Sequence, residues 1–350
     1  MKKLIALTAT IAVLLGLTAC SNPTLSFKGA YWNDPGETGK FQQNLSETLN
    51  YKISYETTTL SNSSVIKKSG VSLTVDESSY YKTVLTANSG YTYTYTTETF
   101  VKGVYSGSGL KEPVSFEDKT TSVTVFKDLT NGFKPVSSVR EATRNTLCVP
   151  SGKEYKTISF KYKYEINYGE KDAAVTYLLT SDLNADLVKG GKSVEDKSRT
   201  YKKYDTGAYI DNDVISLLAR AFDLKDGFNQ SFKTIDVITG KLTSMSYGVS
   251  AKTKNTVSEY KVESGISGTP IDCYRLLTSV SETFSGAAIE GYYAKDADVN
   301  RHRMIKCYTA LNNGLGYICY TLNSVARQFP TKIKNDKCRF YALFYIKSAF

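Results

Sequence analysis

Apolar and polar residues alternate with a period of two along much of the chain from residue 46 onward. The longest such run is Lys156–Tyr168, in which aromatic and Ile residues share one face and charged residues such as Lys161 share the other. Aromatic and β-branched residues at this period are typical of antiparallel strands with one buried face. Short turn sequences such as Asn88–Gly90 separate the runs. We therefore expect a mainly β chain built as one extended antiparallel sheet.

One segment has a helical period instead. Its apolar residues recur at i, i+3, i+4, i+7 and i+8, and they are Val214, Leu217, Leu218, Ala221 and Phe222. Asp211 or Asn212 can supply the N-cap, and Gly227 ends the segment. Asp213 follows two residues after Asp211. We interpret these two carboxylates as helix-capping groups in preference to an acid/base pair. The pattern predicts one short amphipathic helix that buries its apolar stripe on the sheet.

The first twenty residues have the features of an export signal. Lys2 and Lys3 precede the apolar run Leu4–Leu17, which is too short to span a bilayer. The run closes on Leu17-Thr18-Ala19-Cys20, which resembles the lipobox of bacterial lipoprotein signal peptides. The resemblance implies that residues 1–19 are removed and that Cys20 receives a diacylglyceryl group. Acyl chains on Cys20 would anchor the protein to the outer face of the cytoplasmic membrane or to the outer membrane. The alternative is an ordinary secreted protein.

Two flanking segments differ from the β-rich domain expected at residues 46–326. Residues 20–45 contain several Pro and Gly and few apolar residues in register, which predicts a lipidated cysteine followed by a flexible tether. Residues 327–350 are basic and contain the apolar run Phe340–Ile346, which is too short to span a bilayer. We expect this tail to be a terminal strand, a membrane-surface segment or a poorly ordered appendage.

Composition and charge limit the chemistry that the chain can perform. It has 27 Tyr and 15 Phe but one Trp and one His, so histidine catalysis and most metal sites have few residues to draw on. Without residues 1–19, Lys and Arg exceed Asp and Glu by eight. This surplus favours an anionic lipid or wall-polymer surface, or it simply keeps the sheet soluble. Because the basic residues are scattered along the chain, we expect no nucleic-acid partner.

Five cysteines remain beyond Cys20, and they are Cys148, Cys273, Cys307, Cys319 and Cys338. No Cys-x-x-Cys sequence occurs, which argues against a zinc ribbon and a thioredoxin-type pair. In an oxidising exterior Cys307 could pair with Cys319 across a hairpin, and Cys148 could pair with Cys273. The alternative is free thiols that pack as small apolar residues.

The motifs of familiar catalytic and metal sites are incomplete. His302 lies between two arginines that disfavour its protonated form, and no Gly-x-Ser-x-Gly sequence occurs. Ser64–Lys67 matches Ser-x-x-Lys, but the Ser-Asp-Asn and Lys-Thr-Gly motifs of the penicillin-recognising enzymes are absent. Asp296–Asn300 begins like a calcium loop, yet Arg301 and Cys307 stand where that loop needs Gly and Glu. We therefore expect no catalytic site, no metal and no cofactor.

Three stretches together resemble a family of exported bacterial proteins of unknown function. Ser46–Tyr55 is similar to the family's Gly-Glu-x-Leu-x-Tyr-x-apolar-x-Tyr/Trp opening, with Ser46 in place of the usual Gly. Asn212–Asp236 resembles its middle, and Cys273–Leu322 resembles its closing strands. The resemblance implies a single strongly curved antiparallel sheet, an open half-barrel akin to that of the lipoprotein carriers of the Lol pathway. In those carriers the concave face holds an acyl chain. The family has no established activity, so no catalytic residue is carried over.

These observations favour a non-enzymatic, membrane-anchored envelope lipoprotein that binds a lipid or acylated ligand on the concave face of the sheet. The residues expected to line that face are Phe160, Tyr162, Tyr164, Leu217, Leu218 and Phe222. The same residues would alternatively pack against each other and leave no cavity. The second hypothesis is a structural or adhesive surface protein that contacts polysaccharide or proteins. An enzyme, which would need a carboxylate pair assembled by folding, is the third.

Overall fold

The computed structural model describes most of the chain between residues 25 and 328. The described residues are 25, 27–34, 40–62, 70–127, 134–148, 155–169, 175–183, 197–201, 210–236, 242–250, 255–257, 260–262, 265–267, 270–278, 289–296, 300–311 and 314–328. The predictions for the signal peptide, for Cys20 and for residues 329–350 lie outside the described residues.

Strands make up most of the described chain. They are β1 (Ser46–Glu56), β2 (Ser72–Val75), β3 (Tyr80–Asn88), β4 (Thr92–Ser106), β5 (Val114–Lys127), β6 (Lys134–Cys148), β7 (Lys156–Asn167), β8 (Val175–Leu183), β9 (Lys197–Tyr201), β10 (Asn229–Ile235), β11 (Leu242–Val249), β12 (Asn255–Val257), β13 (Tyr260–Val262), β14 (Gly265–Ser267), β15 (Ile271–Thr278), β16 (Ile289–Ala294), β17 (Met304–Ala310) and β18 (Tyr317–Gln328). The predicted run that began at Lys156 is β7, and the prediction of a mainly β chain is confirmed.

Sixteen of these strands form one large antiparallel sheet. β1 lies near its middle, and from there the chain proceeds through β3 and its neighbours to β9 at one edge. It resumes in β10 at the other edge and returns to β18, which pairs with β1 along the whole of Ser46–Glu56. In the described part of the chain β9 and β10 do not pair with each other, so the sheet is open. The predicted single antiparallel sheet is therefore confirmed.

Most of the hydrophobic core lies on one face of this sheet, while Tyr308 and Cys319 are buried on the other face of β17 and β18. On β7, for example, Tyr162, Tyr164 and Ile166 are buried while the residues between them are less so. Side chains from β4–β6 and from β16–β18 line one common cavity, although β1 and β3 separate these two groups of strands. Such an arrangement requires the sheet to curve strongly, and the face that carries the core is the concave one.

The connection between β9 and β10 carries the predicted helix across the concave face. This helical segment consists of a 3-10 turn (Asn212–Val214), α1 (Ile215–Leu218) and a second 3-10 turn (Ala219–Ala221). The carboxylate of Asp211 accepts a hydrogen bond from the backbone N–H of Asp213 at 2.9 Å and thereby caps the first turn. Phe222 is extended, so the segment ends one residue before the end of its apolar stripe. The prediction of a single short helix on the sheet is confirmed.

Residues 27–34, which we call the N-terminal strap, pack against the end of the helical segment and against the sheet. Trp32 in the strap has no exposed surface. The backbone N–H of Lys28 donates to the carbonyl of Ala221 at 2.8 Å and so gives a partner to a carbonyl at the end of the helix. The prediction of a flexible tether over residues 20–45 is therefore wrong for the described part of this segment. Pro and Gly excluded regular structure there, but they did not exclude burial.

A buried ion cluster joins the strap and the helical segment to the sheet. Glu47 on β1 is 2% exposed, and its carboxylate lies 2.5 Å from Arg220 and 3.0 Å from Arg303. Arg327 on β18 lies 3.4 Å from Glu47 and also donates to the carbonyl of Trp32. Because Arg327 belongs to this core cluster, the predicted domain boundary at residue 326 is too early.

The positions of the cysteines contradict one of the predicted disulfides. Cys273, Cys307 and Cys319 are buried free thiols. Cys307 on β17 lies opposite Tyr320 on β18, and Cys319 is the residue before Tyr320. Residues opposite each other in an antiparallel pair share a face, and successive residues alternate, so the two thiols point to opposite faces of the sheet. The predicted bridge between them is therefore ruled out by register. The side chain of Cys148 lies outside the described part of the structure.

Candidate functional site

A cavity of about 300 Å³ lies between the concave face of the sheet and the helical segment. Ile215 and Ser216 of the helical segment form part of its lining, and Tyr81 on β3 lies between its two walls. The volume falls at the small end of the range that ligand-binding pockets occupy. We take this cavity as the candidate functional site.

The sizes of the side chains along β4 and β5 create the cavity. The concave face of β4 carries Tyr93, Tyr95, Thr97, Thr99, Val101, Gly103 and Tyr105, and that of β5 carries Phe116, Asp118, Thr120, Ser122, Thr124 and Phe126. Aromatic residues lie near both ends of each strand, and two of them, Tyr105 and Phe116, line one end of the cavity, whereas the central positions hold smaller side chains. Since the neighbouring aromatic residues keep the helical segment at its distance from the sheet, these small residues leave open space below it.

One wall of the cavity is polar, and it is formed by β4–β6 and the start of the helical segment. We call Thr99, Asp118, Thr120, Arg140, Arg144 and Asp213 the polar wall. Arg140 Nη1 lies 3.1 Å from Asp213 Oδ1, and Arg144 Nε lies 3.3 Å from Asp118 Oδ2. Burial raises the pKa of Asp118, and Arg144 opposes that shift. The formal charges of the two ion pairs cancel, so this wall is polar but carries no net charge.

The facing wall is largely apolar, and it comes from the other half of the sheet. We call Ile289, Tyr293, Met304, Cys307, Ile318 and Tyr320 the apolar wall. The thiol of Cys307 is buried and burial raises its pKa, so it behaves as a small apolar group. A cavity with one polar and one apolar wall is suited to an amphiphilic molecule.

A buried carboxylate fixes the helical segment beside the polar wall. Asp211 has no exposed surface, and its carboxylate accepts hydrogen bonds from Tyr168 Oη at 2.6 Å and from Ser138 Oγ at 3.2 Å. Burial, followed by the neighbouring Asp213 carboxylate, raises the pKa of Asp211 from 3.8 to about 7. Tyr164 donates to Asp213 in turn. The predicted capping role of Asp211 is confirmed, and the same contacts hold the helix start on β6 and β7.

The residues predicted to line a ligand site lie in the packed core and not on the wall of the cavity. They are Tyr162, Tyr164, Leu217, Leu218 and Phe222, and the side chain of Phe160 lies outside the described part of the structure. Tyr164, Leu218 and Phe222 have no exposed surface at all. This corrects the predicted lining, and the reason is size. Large side chains fill the space between the helix and the sheet, whereas small ones leave it open.

Sequence reasoning did not identify the residues of the polar wall. Thr99 and Thr120 are ordinary strand residues, and Asp118, Arg140 and Arg144 match no motif. The signal that could have found them is the size pattern along β4 and β5, which is already visible in the sequence.

His302 has a structural role. It is 7% exposed, its Nδ1 lies 2.8 Å from the carbonyl oxygen of Ala294, and its ring packs edge-on against Tyr31. Burial lowers its pKa. In the same turn the amide of Asn300 donates to Asp296, which agrees with the interpretation of this acidic stretch as a turn.

Other candidate sites are absent or lie outside the described residues. Ser64–Lys67 and Asp298 lie outside the residues that the structure describes. Within the described ranges, no three His, Cys, Asp or Glu residues are grouped so that they could hold a metal ion. In the same part of the chain, no helix has the length and apolar character needed to cross a membrane.

Comparison with known proteins gives little to add. No family model matches the chain, and no curated protein matches it. Among solved structures, it is similar to the crystal structure of a β-barrel-like protein of the domain of unknown function DUF1849 from Brucella abortus. The TM-score is 0.44 and the sequence identity is 9%, over 82% of this chain and 99% of that chain. A similarity at this level carries no assignment of function.

Proposed function

We propose that the protein is a non-enzymatic, lipid-anchored envelope protein that binds a small amphiphilic ligand, of the lipid or acylated class, in the cavity under its helical segment. The observation that carries this proposal is the pairing of the polar wall with the apolar wall across about 300 Å³. A ligand with an acyl chain would bury apolar surface against the apolar wall, and burial of such surface drives binding. Its polar end would contact the polar wall.

The binding surface is the concave face of the sheet, as expected from the sequence, but it is formed by the residues of the polar and apolar walls. The carboxylates of the polar wall are engaged by arginines, since Asp118 and Asp213 lie within 3.3 Å of Arg144 and Arg140. This arrangement favours a binding role over acid/base catalysis, where a carboxylate must exchange protons with a substrate.

The proposed anchor places the binding domain close to a membrane. Leu25 is buried in the core only five residues after Cys20. Five extended residues span at most about 17 Å, so a lipidated Cys20 would hold the domain near the bilayer surface. A short distance of this kind would favour exchange of an amphiphile between the membrane and the cavity.

Native mass spectrometry tests the binding. The chain carrying Cys20→Ala is exported, purified without detergent, weighed in its native state and extracted with organic solvent. We expect one amphiphile per chain, or uptake of one when 1-monolauroylglycerol is added. A ligand-free mass together with no uptake would contradict the proposal and favour a surface-adhesion role.

Metabolic labelling tests the anchor. Cells that express the native chain in the presence of labelled palmitate should yield a labelled protein in the membrane fraction. The Cys20→Ala chain should lose both the label and the membrane association. An unlabelled native protein would overturn the lipid-anchor part of the proposal and leave the cavity unaffected.

A further inference from the structure

Two threonines of the polar wall have hydroxyls that face the cavity. Thr99 on β4 and Thr120 on β5 lie directly opposite each other in register, and both line the cavity. Thr120 is 7% exposed. Neither side chain makes a hydrogen bond within the described residues.

The neighbouring hydroxyl pairs on the same face behave differently. Thr97 Oγ1 and Ser122 Oγ lie 2.7 Å apart, and Thr124 Oγ1 and Ser138 Oγ lie 3.1 Å apart, so each of these pairs is hydrogen-bonded. Neither the Thr99 nor the Thr120 hydroxyl is fully enclosed, because Thr99 is half-buried and the buried hydroxyls that lack a partner within the described residues lie elsewhere, Thr234 Oγ1 among them. Thr97 also lines the cavity but is paired with Ser122, so on this face of β4 and β5 Thr99 and Thr120 present the open hydroxyls of the described residues, and a ligand in the cavity can reach both.

The charges around these hydroxyls restrict what that partner is. Arg140 and Asp213 neutralise each other, as do Arg144 and Asp118. A carboxylate or an ammonium group that entered the cavity would lose its hydration and would meet no unpaired counter-charge in this wall. A neutral group rich in hydroxyls would lose less on desolvation and would satisfy both threonines, because a hydroxyl donates and accepts.

We infer that the cavity selects an amphiphile whose polar end is a neutral polyol, such as a glycerol ester or a sugar ester, held by hydrogen bonds to Thr99 and Thr120. This inference rests on the proposed function, and it adds the chemical class of the ligand's polar end. The threonines act as specificity residues, and the apolar wall holds the acyl chain.

A set of ligands with the same chain length tests the selectivity. The Cys20→Ala chain is titrated in a calorimeter with 1-monolauroylglycerol, sucrose monolaurate, lauric acid and dodecylammonium, each below its critical micelle concentration. One of the two polyol esters should bind about tenfold or more tightly than both charged ligands, as two added hydrogen bonds would give. Comparison of the two esters shows whether the polyol is glycerol or a sugar. Equal or tighter binding of lauric acid or dodecylammonium would overturn the inference.

Variants of the two threonines test the contacts themselves. Thr99→Val and Thr120→Val keep the side-chain shape and remove the hydroxyl. Each should lower the affinity for the polyol ester by about three- to tenfold. Neither should change the affinity of lauric acid. The matched variants Thr99→Ser and Thr120→Ser keep the hydroxyl and should bind within about twofold of the parent chain. Unchanged ester affinity in both Val variants would overturn the inference.

Thermal unfolding without ligand separates a binding role from a structural one. Because the hydroxyl of Thr120 makes no hydrogen bond to the described residues, Thr120→Val should unfold at the same temperature as the parent chain or at a higher one. A lower unfolding temperature would show that the hydroxyl serves the fold, and this would count against the inference. If none of the four ligands binds, the proposed function itself fails, whereas binding with the wrong ranking overturns only the ligand class.

Discussion

Glu47 on β1 and Arg303, the residue before β17, form an ion pair in the interior, with Glu47 Oε2 3.0 Å from Arg303 Nη2 and 3.2 Å from Arg303 Nε. Each side chain has about 1% of its surface exposed. Arg220 and Arg327 approach the same carboxylate. One carboxylate therefore binds three arginines, which come from the helical segment, from the turn before β17 and from β18.

Replacement of Glu47 should destabilise the fold severely. Glu47→Gln leaves Arg220, Arg303 and Arg327 without their counter-charge, and loss of one partner of a buried ion pair costs about 3–5 kcal/mol. Urea unfolding of the variant and the native chain measures this difference in the free energy of unfolding. The control is Glu141→Gln, since the Glu141 side chain is 60% exposed where it pairs with Lys163, and it should change stability by less than about 1 kcal/mol. Equal effects of the two substitutions would contradict the central role of Glu47.

Asp211 should make stability depend on pH. Burial and the neighbouring Asp213 raise its pKa from 3.8 to about 7, so the folded state retains a proton that the unfolded state releases. The resulting penalty is absent below pH 3.8, grows as the pH rises and is complete above pH 7. Relative to Asp211→Asn, the native chain should therefore lose stability between about pH 4 and pH 7.

Thermal unfolding of the two proteins at several pH values measures this effect. The difference in Tm between the native chain and Asp211→Asn should shift steadily against the native chain as the pH rises. Asp226→Asn, which removes an exposed carboxylate in the turn after the helical segment, is the control for the loss of one negative charge. A difference between the native chain and Asp211→Asn that stays constant with pH would show that the Asp211 carboxylate has no raised pKa.

The N-terminal strap should be part of the folding unit. Trp32 has no exposed surface and packs edge-on against Tyr93 at 5.8 Å and Phe126 at 6.4 Å. Trp32→Ala should lower the free energy of unfolding by about 3–5 kcal/mol, as measured in urea. Tyr91→Ala removes an aromatic residue that is 68% exposed and should cost about 0.5 kcal/mol or less. A loss of stability no larger than that of Tyr91→Ala would contradict the role of the strap in folding and would support the prediction of a flexible tether.

Cys307 and Cys319 should remain unpaired even after export. They point to opposite faces of the sheet, and both are buried thiols whose pKa is raised by burial. Protein that is unfolded in iodoacetamide without reductant and then digested should yield alkylated peptides for both residues. A peptide that contains Cys307 linked to Cys319 would contradict the strand register of β17 and β18.

The sheet could be predicted from the sequence because its signal is local. The alternation at Tyr162, Tyr164 and Ile166 is enough to define a half-buried strand, whatever the neighbouring strands are. Pairing is not local. The contact between β1 and β18 joins residues more than 260 positions apart, and no pattern in either strand specifies the other.

The burial of the N-terminal strap was not predicted, because the Pro and Gly content of a segment indicates whether it forms a helix or strand but not whether it is buried. Pro and Gly in residues 20–45 predict no helix or long strand, and neither occurs in the described part of this segment. The single Trp of the chain lies in that segment, and a residue of this size is seldom left exposed. Trp32 therefore carried a signal that outweighs its irregular surroundings.

The residues of the candidate site were not predicted because the predicted lining consisted of large aromatic and aliphatic residues. Tyr164 and Phe222 fill the core, and a filled core has no room for a ligand. The space comes from Thr99 and Thr120, which are small residues between aromatic ones on paired strands. Which other strands face them depends on the curvature of the sheet, and that could not be derived from the sequence pattern.

Two substitutions on one strand test the central claim, which is that the cavity binds the ligand. Thr99→Phe places a ring in the cavity, whereas Thr96→Phe places the same ring on the opposite face of β4. Both are made in the Cys20→Ala chain, and native mass spectrometry with solvent extraction measures the bound amphiphile. We expect Thr96→Phe to retain one ligand per chain and Thr99→Phe to lose it while remaining folded. Equal ligand content in the two folded variants would contradict the assignment of the binding site to this cavity.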